Sequence, residues 1–102
     1  MSRQDRVGKT ATSIREVTPF TYAVRYHNTD VVTYNAEKIT LRTGGWKTVT
    51  TKLRMNQASR QFDLGYGVSQ RKGVWYVRQW HKVNQKWINE KEFVGEEFII
   101  ER

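Results

Sequence analysis

The segment "GGWKTVTTKLRMNQASRQFDLG", residues 44–65, decides the fold because its apolar residues follow a helical spacing. The threonines at its start can cap a helix, since a threonine hydroxyl accepts a backbone N–H that has no partner within the helix. Met55, Ala58 and Phe62 then form a narrow apolar stripe. Gly65 suits the left-handed conformation that ends many helices. The segment predicts one helix that packs on a sheet, because so thin a stripe buries little surface alone.

The residues before this helix alternate in the manner of strands. Phe20, Tyr22, Val24 and Tyr26 are separated by smaller or more polar residues, which is the period of a half-buried strand. Two more short strand patterns, "VVTYN" and "KITLRT", follow after the turns "HNTD" and "NAE". Regular structure is expected only after Pro19. Residues 1–18 are therefore predicted to form a flexible basic tail and residues 19–102 a single domain.

After the helix, "YGVSQRKGVWYVRQW", residues 66–80, has the pattern of a β-hairpin. Its connection is predicted as the three residues Arg71-Lys72-Gly73, with glycine where a positive φ is needed. Residues 74–77 are apolar on both faces, which indicates a central strand. One or two more strands are expected near the C-terminus. The sequence predicts an α+β fold of order β-β-β-α-β-β plus these strands, with a single helix packed on an antiparallel sheet.

Composition limits the classes of function. A chain of 102 residues fits one domain. The chain has no cysteine, which excludes disulfides and thiol nucleophiles. No apolar run approaches the roughly 20 residues of a membrane-spanning helix, and the first residues lack the apolar core of a secretory signal. The expected location is the cytoplasm, without membrane association.

The positive charge is concentrated in one part of the chain. The net charge is +8, yet residues 47–82 alone carry +7 and residues 83–102 carry −2. A charge distribution this uneven indicates a surface that faces a polyanion. A solvated basic face without a ligand would give the same count, so charge alone does not decide the matter.

Three stretches resemble a family of small bacteriophage-encoded proteins. They are Gly44-Gly45-Trp46, the run "TTKLRMN" at residues 50–56, and Gly73-Val74-Trp75-Tyr76-Val77. The resemblance covers about residues 22–77. It implies phage origin and hence the cytoplasm of a bacterial host, and it supplies no reaction, substrate or catalytic residue. The remaining residues 78–102 are expected to add strands outside the family pattern.

Catalytic chemistry finds little support in the sequence. His27 and Asp30 are close enough in sequence to share a turn, but a metal or general-base site needs more converging groups. His81 lies between Trp80 and Lys82, as a surface residue would. The glutamates at the C-terminal end lie far in sequence from the basic segment. We therefore expect no enzyme activity, no catalytic residues, no metal and no cofactor.

The favoured function is that of a non-enzymatic accessory protein that binds DNA or RNA through the basic helix and the hairpin tip. The helix start offers backbone N–H groups and hydroxyls to a phosphate, and side-chain amides can read adenine in a major groove. Trp46 or Trp75 could stack on an unpaired base, although Trp75 fits the core better. The predicted interface comprises Lys47, Thr50, Thr51, Lys52, Arg54, Asn56, Gln57, Arg60, Arg71 and Lys72.

The alternative is a phage protein that binds and modulates a host protein. Trp80, Trp87 and Phe93 lie in the segment that the predicted core needs least, and tryptophan is a frequent anchor at protein interfaces. An exposed edge strand would also permit a homodimer. Loss of binding at high salt would favour nucleic acid over either alternative.

Overall fold

A computed structural model describes residues 12–45 and 47–102 of the chain. Within these residues the fold has one helix and eight strands, which confirms the α+β class with antiparallel sheets. In chain order the elements are β1 (Thr12–Thr18), β2 (Thr21–Tyr26), β3 (Thr29–Tyr34), β4 (Lys38–Arg42), α1 (Val49–Gln61), β5 (Tyr66–Arg71), β6 (Val74–His81), β7 (Lys86–Glu92) and β8 (Glu97–Glu101).

The strands form two sheets rather than the single sheet predicted. The large sheet has the order β1-β2-β3-β4-β8, and the small sheet has the order β5-β6-β7. The last strand, β8, returns to pair antiparallel with β4, so that Ile100 lies opposite Ile39. The chain therefore leaves the large sheet after β4, builds the helix and the small sheet, and comes back at its end.

The first strand corrects the predicted tail. Residues 12–18 form β1, an edge strand in which Ile14 lies opposite Val24 and Thr12 opposite Tyr26. The prediction that no regular structure precedes Pro19 was wrong for these residues, because β2 offers a free edge whose backbone groups a polar strand can satisfy as well as an apolar one. The rest of the predicted tail, residues 1–11, lies outside the described residues.

The hairpin between β5 and β6 confirms the predicted location but has a tighter turn. Arg71 pairs with Val74, so the loop contains two residues, Lys72 and Gly73, rather than three. Both have positive φ, 52° and 80°. This is the two-residue loop whose backbone twist matches that of the flanking strands. The side chain of Lys72 is thereby presented at the hairpin tip.

The helix begins and ends with specific caps. The hydroxyl of Thr48 accepts the backbone N–H of Thr51 at 3.1 Å, as the threonine-rich start predicted. At the other end Asp63 takes the left-handed conformation with φ 53°, and the N–H of Leu64 donates to the carbonyl of Ser59 at 2.9 Å. The terminating role predicted for Gly65 thus falls to Asp63, two residues earlier.

The helix lies on the large sheet and beside the edge of the small one. It packs against β2 and β3 on one side and against β5 on the other. Asn56 accepts the N–H of Val68 at 2.8 Å and donates to its carbonyl at 2.9 Å. The Ser59 hydroxyl accepts the N–H of Tyr66 at 3.1 Å and donates to its carbonyl at 2.6 Å. Two helical side chains thereby satisfy the free edge of β5, where an unprotected strand would invite aggregation.

One apolar core joins the helix to both sheets. Met55 and Ala58 of the helix are fully buried, and Phe62 packs at the margin of the core, as predicted. The small sheet contributes Trp75 and Val77 from one face of β6. The opposite face of that sheet turns away from the core, and the candidate site lies at its edge.

Candidate nucleic-acid interface

A groove of about 480 Å³ runs between the C-terminal half of α1 and the outer face of the small sheet. The helix contributes Asn56, Ser59 and Arg60, and the small sheet contributes Arg78, Trp80 and Trp87. Strand alternation explains the second group. Trp75 and Val77 point into the core, so Arg78 and Trp80, which are an odd number of residues away from them, point to the outer face. The groove therefore combines cations with aromatic rings.

The two tryptophans form a pair across β6 and β7. Trp80 lies directly opposite Trp87 in the strand register, and their ring centroids are 5.2 Å apart with the planes inclined at 70°. This edge-to-face geometry is favoured by the ring quadrupoles. Trp80 remains 38% exposed and Trp87 41% exposed. The pair thus keeps a defined arrangement while leaving much of its aromatic surface open to solvent.

Arg78 and Gly67 hold the ring of Trp87 in place. The guanidinium of Arg78 lies over this ring, 4.3 Å from its centroid. Gly67, opposite Arg78 on β5, leaves room for the ring, because a Cβ added there would lie only 3.0 Å from the Cη2 of Trp87. The Nε of Arg78 is buried and has no hydrogen-bond partner within residues 12–45 and 47–102. Part of the hydrogen-bonding capacity of this guanidinium is therefore unused inside the protein.

The groove carries a positive charge. Two arginines, Arg60 and Arg78, line it, and the carboxylate there belongs to Asp63. Asp63 accepts a hydrogen bond from the ammonium of Lys82 at 3.1 Å, so its charge is balanced by a neighbouring cation. The local excess of positive charge in this groove has the same sign as the charge of the whole chain.

Comparison with known proteins identifies the family. The family model described as the Kyanoviridae Gp96 protein matches residues 1–99. The chain belongs to this family. The phage origin inferred from the resemblance is thereby confirmed. The Gp96 match also extends through most of residues 78–102, so the expectation that this segment lies outside the family pattern was wrong. No curated protein and no solved structure matches the chain.

The structure brings two of the predicted interface residues of this Gp96 family member into the groove. Arg60 and Asn56 both line it. Arg60 is exposed, whereas the amide of Asn56 is occupied by the backbone of Val68. Asn56 therefore builds the wall of the groove, and its amide is not available to read adenine as predicted.

Three further predicted residues meet at the hairpin end of β5. The ammonium of Lys52 donates to the side-chain oxygen of Gln70 at 3.1 Å, next to Arg71 and Lys72. Arg71 forms an ion pair with Glu90, and its guanidinium lies 4.1 Å from the ring centroid of Tyr76. The hydrogen bond from Arg71 lowers the pKa of Glu90. Lys52 and Lys72 therefore offer charge at this end, while that of Arg71 is balanced by a carboxylate.

Three other predicted residues are buried, which corrects their placement on a solvent-facing surface. Thr51, Arg54 and Gln57 all lie in the interior. Arg54 donates to the Thr12 hydroxyl at 3.0 Å and to the side-chain oxygen of Gln57 at 3.1 Å, and its guanidinium lies 5.6 Å from the ring centroid of Tyr26. Arg54 thereby connects the helix to β1 and β2. A helix covered on two sides buries residues that a single apolar stripe would leave exposed.

The start of the helix lies apart from the groove. The ammonium of Lys47 donates to the carbonyl of Phe93 at 2.6 Å and lies 5.2 Å from the centroid of its ring. Thr50 is half-buried in the first turn. The Thr48 hydroxyl donates to the Thr51 hydroxyl at 2.9 Å. Lys47, Thr48 and Thr51 therefore stabilise the fold at this end, and neither they nor Thr50 line the groove.

The aromatic residues are distributed differently from the sequence interpretation. Trp75 is buried, as its core placement predicted, and Trp46 lies outside the described residues. Phe93, predicted to be dispensable for the core, is fully buried against Trp75. Arg78 was missed altogether. The signal that could have found it is the alternation along β6. Trp75 and Val77 lie on one face of this strand, and Tyr76, Arg78 and Trp80 lie on the other.

Other types of site are not represented in the described residues. No group of three or more histidine, aspartate or glutamate side chains within residues 12–45 and 47–102 is placed to hold a metal ion. In the same part of the chain, α1 is too short and too polar to cross a bilayer.

Proposed function

We propose that this phage-encoded protein is a non-enzymatic accessory protein that binds nucleic acid, and that the groove between α1 and the small sheet is its contact surface. The observation that carries the proposal is the meeting of two arginines, Arg60 and Arg78, with two exposed tryptophans in one groove. Cations attract the phosphate backbone, and aromatic rings accept bases. The groove can therefore contact both the phosphate and the base of a nucleotide.

A second group of cations extends this surface along the helix. Hydrogen bonds join Ser59 to Tyr66, Asn56 to Val68 and Lys52 to Gln70, so α1 and β5 run side by side in opposite directions. At about 3.3 Å per strand residue, Gln70 lies roughly 13 Å along β5 from Tyr66. Lys52 and Lys72 thus supply positive charge at the far end of a track that begins at the groove.

The proposal differs from the sequence-based interpretation in the residues that it uses. Arg54, Gln57 and Thr51 take no part because they are buried, and Asn56 contributes through the groove wall. Arg60, Lys52 and Lys72 remain from the original set. Arg78, Trp80 and Trp87 are added because they line the groove together with Arg60.

Binding to labelled DNA and RNA at two salt concentrations tests the proposal. We expect affinity to fall steeply with salt, since each phosphate contact releases counterions. The double variant Arg60→Gln, Arg78→Gln should weaken binding and reduce the slope of log affinity against log salt by about 1 to 2.

The matched control is Lys38→Gln, Lys91→Gln. It also removes two positive charges, but from exposed positions that do not line the groove. If both double variants lose the same affinity, net charge and not the groove drives binding. Absence of any binding at low salt would reject the proposed function.

One observation favours the alternative, binding of a host protein. Trp80 and Trp87 leave apolar surface open, and Val83 in the turn between their strands is 86% exposed. Tryptophan is enriched among the residues that dominate binding energy at protein interfaces. Affinity for a host protein that survives high salt and is lost in Val83→Ser and Trp80→Ala would favour this function.

A further inference from the structure

We infer that the groove binds single-stranded nucleic acid, with an unpaired base stacked on the Trp80–Trp87 pair and the adjoining phosphate at Arg78 and Arg60. The inference rests on the proposed function and specifies the kind of nucleic acid that it concerns.

The exposure of the two rings distinguishes a single strand from a duplex. In a duplex the faces of the bases are covered by their neighbours, so an aromatic ring reaches them only if the base is unpaired or displaced. Trp80 and Trp87 present ring surface to solvent at 38% and 41% exposure. Open ring surface next to two cations therefore serves an unpaired base better than a paired one.

The pair is also held in place before any ligand binds. Trp87 contacts Trp80 at its edge, lies under the guanidinium of Arg78 and packs close to Gly67. A ring fixed by its neighbours loses little conformational entropy when a base stacks on it. The contact with Trp87 fixes Arg78 as well, beside the place where the base would lie.

Arg78 places a cation beside the Trp80–Trp87 pair. Its Nε is buried and lacks a hydrogen-bond partner in the described part of the chain. A guanidinium matches phosphate oxygens in geometry and charge, and this pairing commonly uses two parallel N–H groups. Because the buried Nε is closed to a ligand, a phosphate next to the stacked base would pair with the terminal nitrogens of this guanidinium.

The size of the groove fits this ligand. Its volume of about 480 Å³ lies within the range of sites that enclose drug-sized molecules. Such a volume accommodates a nucleotide, whereas a duplex would have to remain outside the groove. The helix α1, which forms one wall, further restricts the approach of a wide ligand.

The experiment uses the full chain and four fluorescently labelled probes of equal length, about a dozen nucleotides. They are single-stranded DNA, single-stranded RNA, duplex DNA, and a DNA strand with abasic sites that keeps every phosphate. We expect at least one intact single strand to bind about tenfold or more tightly than the duplex. The abasic strand should bind about 5- to 150-fold more weakly than intact DNA if a base stacks on tryptophan.

Variants locate the stacking site. Trp87→Ala and Trp80→Ala should each weaken single-strand binding within the same range, about 5- to 150-fold, while Trp87→Phe should retain more of it than Trp87→Ala. Val94→Ala is the control, since Val94 is 70% exposed and lies outside the groove. Circular dichroism shows whether each variant folds. If the alanine variants do not fold, the comparison of abasic with intact strands on the unaltered protein decides.

The outcomes separate the inference from the proposed function. Salt-sensitive binding that is equal for duplex and single strands, with no loss for abasic DNA or the tryptophan variants, overturns the inference and leaves the proposed function standing. No binding of any probe at low salt overturns both. A host protein that requires Trp80 and Trp87, without affinity for a single strand, overturns the inference in favour of the alternative function.

Discussion

The two faces of strand β6 carry tryptophans that differ in their exposure to solvent. Trp75 is 1% exposed and packs against Phe93 at a centroid distance of 6.0 Å. Trp80, on the same strand, is 38% exposed and meets Trp87 at the margin of the groove. The residue type is the same and the pairing with neighbouring strands is similar, so the difference comes from what covers each face.

The inner face is covered because its side chains join the apolar core that the helix and the large sheet share. The outer face has no such layer among the described residues, and its rings are accompanied by Arg78 and Arg71. A cation over an aromatic ring keeps its contact with water, so this face can remain open without a further apolar layer. The comparison indicates that Trp75 serves stability and Trp80 is available for binding.

The largest effect on stability is expected when the buried tryptophan is removed. Trp75→Ala should destabilise the protein by about 3–5 kcal/mol, because it removes a large side chain from a close-packed core. Trp80→Ala should cost less than about 1 kcal/mol, since its ring is partly solvated already. Urea unfolding followed by circular dichroism measures both. Equal losses would show that the outer face contributes to the core as much as the inner face.

A smaller effect on stability is expected at the edge of β5 that faces the helix. Ser59→Ala should cost about 1–3 kcal/mol, because it leaves the buried N–H and carbonyl of Tyr66 without the serine hydroxyl. Ser69→Ala is the matched control in β5 itself. Its buried hydroxyl has no hydrogen-bond partner in the described part of the chain, so its removal should be neutral or stabilising.

The denaturation midpoints of these two variants, measured at one pH, test this reasoning. A stable Ser59→Ala protein would mean that the helix protects the edge of β5 by packing alone.

The smallest effect on stability is expected in the large sheet, which does not line the groove. Asp30 accepts two hydrogen bonds from Arg15, each 2.8 Å, and one from Arg25. The hydrogen bond with Arg15 is the main reason why the pKa of Asp30 is lowered. The folded state thus favours the ionised carboxylate. This contribution is present above the ordinary aspartate pKa and is lost as the pH falls through the lowered value.

Asp30→Asn should therefore lower stability at neutral pH by about 1 kcal/mol or less, and the difference from the unaltered protein should disappear in strong acid. Asp63→Asn is the control, because Asp63 is exposed and asparagine also adopts the left-handed conformation found there. Urea titrations at several pH values measure both. A deficit that persists unchanged in acid would exclude the ion pair as its cause.

Local spacing predicted the helix well because capping and turn conformations depend on few residues. Thr48 caps α1 and Met55, Ala58 and Phe62 contact the core, as the pattern indicated. The hairpin after the helix was also found, with one residue too many in its turn. The helix end was assigned to Gly65, because the preference for glycine at this position concealed that Asp63 could adopt a positive φ.

The candidate site was predicted less well, because burial depends on the whole assembly. Arg54 is polar and lies on a helix, so the pattern placed it in solvent. It is buried because β1 and β2 cover that side of the helix. Arg60 was placed correctly at the surface. The helical stripe defined one apolar side only, whereas α1 contacts two sheets.

The α+β class, the position of the helix, the position of the hairpin and the concentration of positive charge could all be obtained from the sequence alone. These features follow from residue spacing, capping and charge count, all of which are local or additive. Tertiary structure alone decided that the strands divide into two sheets, that Arg54 and Gln57 are internal, and that Arg60, Arg78, Trp80 and Trp87 share one groove. Such arrangements join residues distant in the chain, and the free energy that selects them comes from burying surfaces that only the complete fold brings together.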